Sequence, residues 1–302
     1  MPDPADAEAL LNGEIPVAPL AVEASLRRYF RPLESEPGGW LLVESPDPPP
    51  VETSEWLEER GVRVPRLGKV AEGRYLVEDL GDRLLAHAPT LGAYQALWRT
   101  WEAFAHTPLP SRLGNSSLAL DEALFVEELA IFKTSWVMDF RGHAWAPTEE
   151  AEFDQACGDL AREAARGPGC VQHRDFHSRN VLLVEDGVAL IDHQDLRQGP
   201  LFYDLASLMM DAYTPLPEGV AEFLGERFKI LGRRYRLGPE EASQRLHASS
   251  LQRALKALGT FGRLLVGGRG EYAQPEARVR QLALSLLQDS PFQAIASWVN
   301  PD

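Results

Sequence analysis

The sequence predicts an α+β protein with two lobes, a small antiparallel sheet followed by a larger helical part. Up to Gly81, short apolar runs alternate with turns that contain proline or glycine, a pattern typical of strands. Beyond Gly81, aromatic and aliphatic residues recur at helical spacing, beginning at Leu91 and Tyr94. We therefore expect an N-terminal lobe over residues 1–81 and a C-terminal lobe over residues 82–302, with a ligand site in the cleft between them.

The N-terminal lobe is predicted to combine strands with one internal helix. Strand patterns cover residues 26–32, 40–44, 62–69 and 74–79. A proline run at residues 46–50 ends the second strand, because proline cannot donate to a ladder. Residues 52–60 then predict a helix, with Ser54 as its N-cap and Gly61 just past its end. A short helix or arm is expected at residues 5–11.

The C-terminal lobe is predicted to be helical except for one polar hairpin. Helical periodicity runs through residues 91–104, 125–136, 149–165, 201–213, 218–236, 239–266 and 275–288. The hairpin joins apolar strands at residues 181–184 and 188–191 through the turn Glu185-Asp186-Gly187.

Composition and charge narrow the classes of partner. The 302 residues are 44% hydrophobic and 25% charged, which is ordinary for a globular protein. The formal net charge of -15 argues against nucleic acid or an anionic membrane as the main ligand. Cys157 and Cys170 lack CxxC spacing, and no apolar run approaches the ~18 residues of a spanning helix. Since no signal-peptide pattern is present either, we expect a cytoplasmic protein. We also expect it to be a monomer.

The segment at residues 171–180, Val-Gln-His-Arg-Asp-Phe-His-Ser-Arg-Asn, carries the most specific motif. Its H-x-D-x-x-x-x-N spacing is that of a kinase-type catalytic loop. Asp175 would accept the proton of the attacking hydroxyl and Asn180 would bind a metal ion, while His173 and Arg174 shape the loop. The alternative is a surface turn, which Asp, Ser and Asn also favour.

The residue after the hairpin favours the catalytic interpretation. Asp192 follows the apolar strand at residues 188–191, where an unpaired carboxylate is costly unless something binds it. It therefore falls where a second metal-binding carboxylate is needed. A zinc site built from His173, His177 and His193 with Asp175 is a weaker alternative, because the loop context and the lack of HExxH argue against it.

Three further polar positions each leave two interpretations open. Asp204, inside an apolar helix, either holds the loop backbone or complements the helix dipole. Glu128 is a substrate-hydroxyl acceptor or, as its pattern favours, the edge of an apolar stripe. Arg253, Lys256 and Thr260 form a polar row on one helix that faces either substrate or, as the pattern favours, solvent.

Nucleotide contacts in the N-terminal lobe have a weaker signature. There is no G-x-x-x-x-G-K-[ST] motif and no G-x-G-x-x-G in this lobe. The loop at residues 24–28 offers the Ser25 hydroxyl and the Arg28 guanidinium as phosphate contacts in place of a glycine-rich cover. The strand at residues 40–44 contains no lysine that could pair with phosphates.

Taken together, these motifs resemble the aminoglycoside phosphotransferase/choline kinase branch of the protein-kinase-like fold. Within it, they are most similar to bacterial kinases that phosphorylate the anomeric hydroxyl of N-acetylmuramate and N-acetylglucosamine. The resemblance is carried by residues 25–31, 76–81, 128–132, 173–180, 192–195, 199–200, 203–208 and 251–261.

The resemblance implies a bilobal protein-kinase-like fold and a kinase that uses ATP and Mg2+ to phosphorylate a small-molecule sugar. For the reaction centre it implies Asp175 as base, with His173 of the same loop as a second catalytic residue. It also implies Asn180 and Asp192 as magnesium ligands and Asp204 as a structural residue. For the nucleotide it implies Ser25, Arg28 and a hinge of Glu78, Asp79 and Leu80 whose backbone receives adenine. For the substrate it implies contacts from Glu128, Gln194, Asp195 and Arg253.

The sequence departs from a protein kinase at two places. Asp192-His193-Gln194 replaces an Asp-Phe-Gly triplet, and no Ala-Pro-Glu segment follows. The missing strand lysine leaves Arg28 as the candidate phosphate contact. Two other functions stay open, a phosphotransferase for another acceptor such as an aminoglycoside or choline, and a nucleotide-binding pseudokinase without activity.

Overall fold

The computed structural model confirms the two-lobed α+β fold. It describes residues 4–20, 27–33, 37–111, 113 and 119–300. A five-stranded antiparallel sheet comes first, and helices dominate the rest of the chain. No helix in these described ranges is long and apolar enough to cross a membrane.

The sheet of the N-terminal lobe has the strand order β1-β2-β3-β5-β4. Its strands are β1 (Val17–Pro19), β2 (Arg28–Pro32), β3 (Trp40–Glu44), β4 (Leu67–Ala71) and β5 (Arg74–Glu78). The predicted strand at residues 62–69 begins only at residue 67, and the three-residue β1 was too short to give a period-two signal. The helix α1 (Pro4–Asn12) covers one face, with Leu10 packed against Leu42 and Leu76.

The helix between the proline run and β4 links the two lobes. It is α2 (Val51–Glu58), and its N-cap position is Pro50 rather than Ser54. Ser54 lies inside the helix and donates its hydroxyl to the Pro50 carbonyl at 2.8 Å, so the predicted cap was wrong. Trp56 of α2 belongs to the same buried core as Trp98 and Trp101 of the C-terminal lobe. The apolar core therefore continues across the predicted division at residue 81.

The C-terminal lobe consists of eight α-helices in the described residues, with a π-helical stretch at Phe132–Phe140. The helices are α3 (Leu91–Ala105), α4 (Glu122–Ile131), α5 (Pro147–Ala164), α6 (Tyr203–Met209), α7 (Val220–Arg234), α8 (Pro239–Val266), α9 (Ala273–Leu287) and α10 (Ala296–Val299). The periodicity at residues 125–136 predicted one α-helix, whereas the chain changes from α to π geometry at residue 132.

Two glycines let α8 pack closely against the π-helix. A Cβ added at Gly259 would lie 2.8 Å from the Phe132 backbone nitrogen, and one at Gly262 would lie 2.5 Å from the Ser135 carbonyl oxygen. Such distances are shorter than side-chain carbons tolerate, so the backbones approach only because both positions lack a side chain. This contact fixes one face of α8, and its neighbouring face borders the cavity described below.

Two short antiparallel pairs frame the motif at residues 173–180, hereafter the catalytic loop. β6 (Gly169–Gln172) enters the loop and pairs with β9 (Arg197–Pro200), a pair that sequence periodicity did not reveal. β7 (Val181–Val184) leaves the loop and forms the predicted hairpin with β8 (Gly187–Leu190). Ile191 donates its backbone N–H to the Asn180 carbonyl at 3.1 Å, so the end of the hairpin lies beside the end of the loop.

Candidate active site

Two buried aspartates hold the catalytic loop from behind. Asp204 accepts the backbone N–H groups of His173 at 2.6 Å and Arg174 at 3.1 Å, together with the indole N–H of Trp101 at 3.1 Å. Asp211 accepts the backbone N–H of Ser178 at 2.7 Å. Of the two interpretations of Asp204, the contacts support the one in which it holds the loop backbone. Asp211 was not singled out, although it lies seven residues after Asp204, which is about two helical turns.

Arg174 ties the loop to two other carboxylates. Its φ of 80° is in the left-handed region, which is uncommon for a residue with a side chain. Its guanidinium donates to Glu128 at 3.0 Å and to Asp195 at 2.8 Å. Its carbonyl oxygen accepts a hydrogen bond from Arg253. These contacts stabilise a backbone conformation that is otherwise costly, and such strain is concentrated at functional sites.

Asp175 follows Arg174 and faces a cavity of about 360 Å³. Its side chain keeps 37% of its surface exposed, and one carboxylate oxygen lies 3.4 Å from the Lys256 ammonium. Burial favours the neutral form, but the charges of Lys256 and Arg253 outweigh it and lower the pKa of Asp175 well below its usual range. The side chain is therefore ionised at neutral pH and can accept a proton or a hydrogen bond from a hydroxyl in the cavity.

The polar row on α8 faces this cavity rather than solvent. Arg253, Lys256 and Thr260 all line it, so the interpretation that the pattern favoured was wrong. The row runs along the helix face next to the one that Gly259 and Gly262 press against the π-helix. Sequence periodicity predicted that the three residues share one face of the helix. It could not predict what that face contacts, because this depends on how α8 is rotated against its neighbours.

Glu128 is a buried counter-charge and not the edge of a stripe. It is 4% exposed and accepts hydrogen bonds from Arg174 and from Gln252, the latter at 2.7 Å, with the Lys256 ammonium 3.3 Å away. With these donors around it, Glu128 is not among the residues that line the cavity. Asp195 is likewise paired with Arg174 away from the cavity. Gln194 and Arg253 line the cavity and these two acids do not, so the substrate contacts of Glu128 and Asp195 stay predictions.

Asn180 and Asp192 stand together at the mouth of the cavity. Asn180 donates its side-chain NH2 to the Asp175 carbonyl at 2.9 Å, which leaves its side-chain oxygen as the atom available to a cation. Asp192 is 41% exposed, so the cost of an unpaired carboxylate after the apolar strand is smaller than the sequence argument assumed. One amide and one carboxylate oxygen fit Mg2+, which is held by few protein ligands and completes its shell with phosphates and water.

The backbone at Asp192 is strained and tied to the N-terminal lobe. Its φ of 58° lies in the left-handed region. Gln194 donates to its carboxylate at 2.7 Å. The next residue, His193, is buried and contacts the Ser54 hydroxyl of α2 at 2.8 Å. Burial lowers the pKa of His193 to about 3, so its ring is neutral at physiological pH.

His173 lies beneath the loop and does not line the cavity. It is 1% exposed and packs against Phe176. Its position is that of a scaffold residue of the loop, and its catalytic role stays a prediction. In the part of the chain that the structure describes, no group of three or more His, Cys, Asp or Glu side chains is placed to hold a metal ion. The zinc alternative accordingly has no support in the geometry.

The arginine that faces the reaction centre is Arg27 and not Arg28. Arg28 pairs with Glu44 across the sheet at 2.6 Å, and its side chain is 64% exposed on the outer surface. Arg27 precedes it on the opposite side, is 9% exposed, and lies 3.8 Å from the Asp192 carboxylate. Adjacent residues of an extended chain point to opposite faces, so a shift of one residue in the register determines which of the two arginines faces Asp192. Ser25 lies outside the described residues.

The hinge segment, residues 78–80, is held by side-chain ion pairs. Glu78 is bound by Arg63 at 2.6 Å and Arg66 at 3.0 Å. Asp79 accepts two hydrogen bonds from Arg31, and its backbone N–H and carbonyl pair with residues 39 and 38. These backbone groups of Asp79 are used within the sheet, and the Glu78 N–H also donates to the Arg66 carbonyl at 2.9 Å. We therefore propose that the Glu78 carbonyl and Leu80 receive adenine.

Comparison with known proteins agrees with this geometry. The family model described as "Phosphotransferase enzyme family" matches residues 17–238. The chain belongs to this family. It is therefore a phosphotransferase, as the resemblance seen in the sequence implied.

The chain is also similar to named relatives and to solved structures. The chain is 30% identical to the N-acetylmuramate/N-acetylglucosamine kinase of Pseudomonas aeruginosa, over 83% of this chain and 78% of that protein. It is 26% identical to the protein of the same name from Neisseria meningitidis, over 85% of this chain and 80% of that protein. In fold it is similar to an aminoglycoside phosphotransferase solved with ADP and hygromycin B, with a TM-score of 0.56, 18% identity, and coverage of 92% and 98%. A choline/ethanolamine kinase family protein from Mesorhizobium loti also has a TM-score of 0.56, with 13% identity and coverage of 94% and 92%.

Proposed function

We propose that this phosphotransferase is an ATP- and magnesium-dependent kinase for the anomeric hydroxyl of an amino sugar, N-acetylmuramate or N-acetylglucosamine. The observation that carries the proposal is the ionised Asp175 at the wall of a cavity that Asn180 and Asp192 also line. The two named relatives supply the sugar class, since the chain covers most of their length. In a bacterium such a kinase would serve the recycling of cell-wall sugars in the cytoplasm.

The residues divide the work of an in-line phosphoryl transfer. The sugar hydroxyl lies in the cavity and donates its hydrogen bond to Asp175, which takes the proton as the sugar oxygen bonds to the γ-phosphorus. The bond from that phosphorus to the β,γ-bridging oxygen breaks at the same time, and ADP leaves. Lys256 and Arg253 keep the carboxylate ionised and oriented. Arg27 approaches from the N-terminal lobe, where its guanidinium can bind phosphate oxygens in place of the absent strand lysine. Asn180 and Asp192 would hold Mg2+, which neutralises phosphate charge when bound.

Replacing Asp175 with asparagine tests the proposal. Asp175→Asn keeps the shape of the side chain but removes the proton acceptor, so we expect kcat to fall by about 10²–10⁴-fold. ADP release with each sugar gives kcat, and calorimetric titration with ATP and Mg2+ should show nucleotide binding largely unchanged. The matched control is Asp159→Asn on α5, an exposed ion-paired aspartate that should retain full activity.

Outcomes of this assay separate the competing functions. Turnover retained in Asp175→Asn would contradict the role of the carboxylate. ADP release by the wild-type chain with an aminoglycoside or choline, and with neither amino sugar, would reassign the acceptor. The lack of a strand lysine is the argument for a pseudokinase. If none of the acceptors in the panel led to ADP release, the pseudokinase interpretation would be favoured instead.

A further inference from the structure

The cavity side of α8 carries a third cation beyond the two that serve Asp175. Arg253, Lys256, Thr260 and Arg263 all line the cavity, and their spacing of three, four and three residues places them in one row along the helix. Arg263 stands in the last turn of α8. At ~1.5 Å of rise per residue, it lies about 10 Å along the axis from Lys256.

The first two cations of the row have partners within the protein. Arg253 donates to the Arg174 carbonyl, and its guanidinium stacks over the Tyr203 ring at 4.6 Å. Lys256 lies between Glu128 at 3.3 Å and Asp175 at 3.4 Å. Neither side chain is therefore available to balance a further negative charge on an acceptor.

Arg263, unlike Arg253 and Lys256, has no partner for its charge among the described residues. It is exposed to the cavity, and its guanidinium has no hydrogen bond, ion pair or ring contact with any residue in the described parts of the chain. A planar guanidinium matches a carboxylate in geometry and binds it with two parallel hydrogen bonds. In a chain with a net charge of -15, an anionic acceptor requires such a local cation, because the overall field repels it.

We propose that Arg263 binds a carboxylate of the acceptor, so that the chain prefers an acidic amino sugar to its neutral counterpart. The inference rests on the proposed function and refines it. With the anomeric hydroxyl at Asp175, the sugar ring extends along α8 toward Arg263. N-acetylmuramate carries a lactyl carboxylate on its O3 oxygen, whereas N-acetylglucosamine has a hydroxyl there and is otherwise identical.

An alternative role for Arg263 makes a different prediction. A cation in the last turn of a helix also stabilises the helix dipole, and an exposed arginine serves that purpose without any ligand. In that case its replacement would change stability slightly and would affect the two sugars equally. The two sugars therefore form a matched pair that separates carboxylate binding from a structural role.

The test measures kcat/KM for both sugars in wild type, Arg263→Gln and Arg263→Lys, at saturating ATP and Mg2+. We expect Arg263→Gln to lower kcat/KM for N-acetylmuramate about tenfold, mainly through KM, because a charge-assisted hydrogen bond is lost. For N-acetylglucosamine the change should stay within about twofold. Arg263→Lys should recover part of the loss. Arg99→Gln, an exposed arginine on α3 away from the cavity, is the matched control.

Added salt and a charge reversal extend the test. Arg263→Glu should reduce the use of N-acetylmuramate further by repulsion, and rising ionic strength should narrow the wild-type preference because it screens the pair. An equal change for both sugars, or none for either, would overturn the inference while leaving the proposed function standing. Failure of the wild-type chain to release ADP with either sugar would overturn the proposed function and this inference with it.

Discussion

The catalytic loop and the hinge segment of the N-terminal lobe are both held by charged side chains, but in different surroundings. The loop is held by Asp204 and Asp211, which are 0% and 2% exposed and accept backbone N–H groups. At the hinge, Glu78 and Asp79 are also buried, but the arginines that bind Glu78 are 37% and 49% exposed.

This difference means that the loss of a charged group should cost more stability in the catalytic loop than at Glu78. A buried acceptor with several donors cannot be removed without leaving those donors unsatisfied, which costs far more than the bonds contribute net. An ion pair with a solvent-exposed partner is screened, and its loss costs little. The backbone geometry at Asp175 is therefore built into the fold, whereas we expect the ion pairs of Glu78 to respond to salt and pH.

The largest effect is expected from removing the aspartate behind the loop. Asp204→Ala leaves three buried N–H groups without an acceptor, and we expect the free energy of unfolding to fall by about 3–5 kcal/mol. Turnover should fall in the fraction that stays folded, because the loop loses its anchor. Urea unfolding and ADP release measure the two effects.

The control for this prediction is a surface aspartate. Asp159→Ala on α5 removes an ion pair with Arg162 whose two side chains are about half exposed, and it should leave the free energy of unfolding nearly unchanged. If Asp204→Ala were no more destabilising than Asp159→Ala, the contrast between the buried anchor and the exposed pairs would be wrong.

An intermediate effect is expected from the paired arginines of the N-terminal lobe. Arg27→Gln should lower kcat/KM for ATP roughly 10²-fold, since it removes a cation that we place against the phosphates. Arg28→Gln removes only the cross-strand pair with Glu44 and should stay within about twofold of wild type. Steady-state kinetics at varied ATP measure both. A larger loss of kcat/KM in Arg28→Gln than in Arg27→Gln would show that Arg28, and not Arg27, is the arginine that contacts the phosphates.

The smallest effect concerns Glu78 and its dependence on pH. Burial opposes ionisation, but hydrogen bonds from Arg63 and Arg66 outweigh it and lower the pKa of Glu78 to about 2 from its ordinary 4.5. Between these values the unfolded chain binds more protons, so this contribution to stability is present above pH 4.5 and is lost as the pH falls toward 2.

Glu78→Gln isolates that contribution. The variant should be less stable than wild type by about 1 kcal/mol at pH 7, with the difference shrinking as the pH falls through the window. Thermal or urea unfolding between pH 7 and pH 3 measures it, and Glu222→Gln, an exposed acid on α7, should follow the wild-type profile. A difference that does not depend on pH would show that the ion pairs at Glu78 do not set its pKa.

Local patterns in the sequence determined much of this protein. The spacing from His173 to Asn180 marked the loop, and the hairpin after it placed Asp192 next to Asn180. The ends of α8 at residues 239 and 266 match the periodicity, because a long amphipathic helix carries its own signal.

The tertiary structure decided which side each of these elements turns to the cavity. Arg27 and Arg28 are adjacent and chemically identical, and only the register of β2 against β3 separates them. The row from Arg253 to Arg263 faces the cavity because Gly259 and Gly262 fix the rotation of α8 against the π-helix. Such choices depend on contacts between residues far apart in the chain, and the period of a single segment does not contain them.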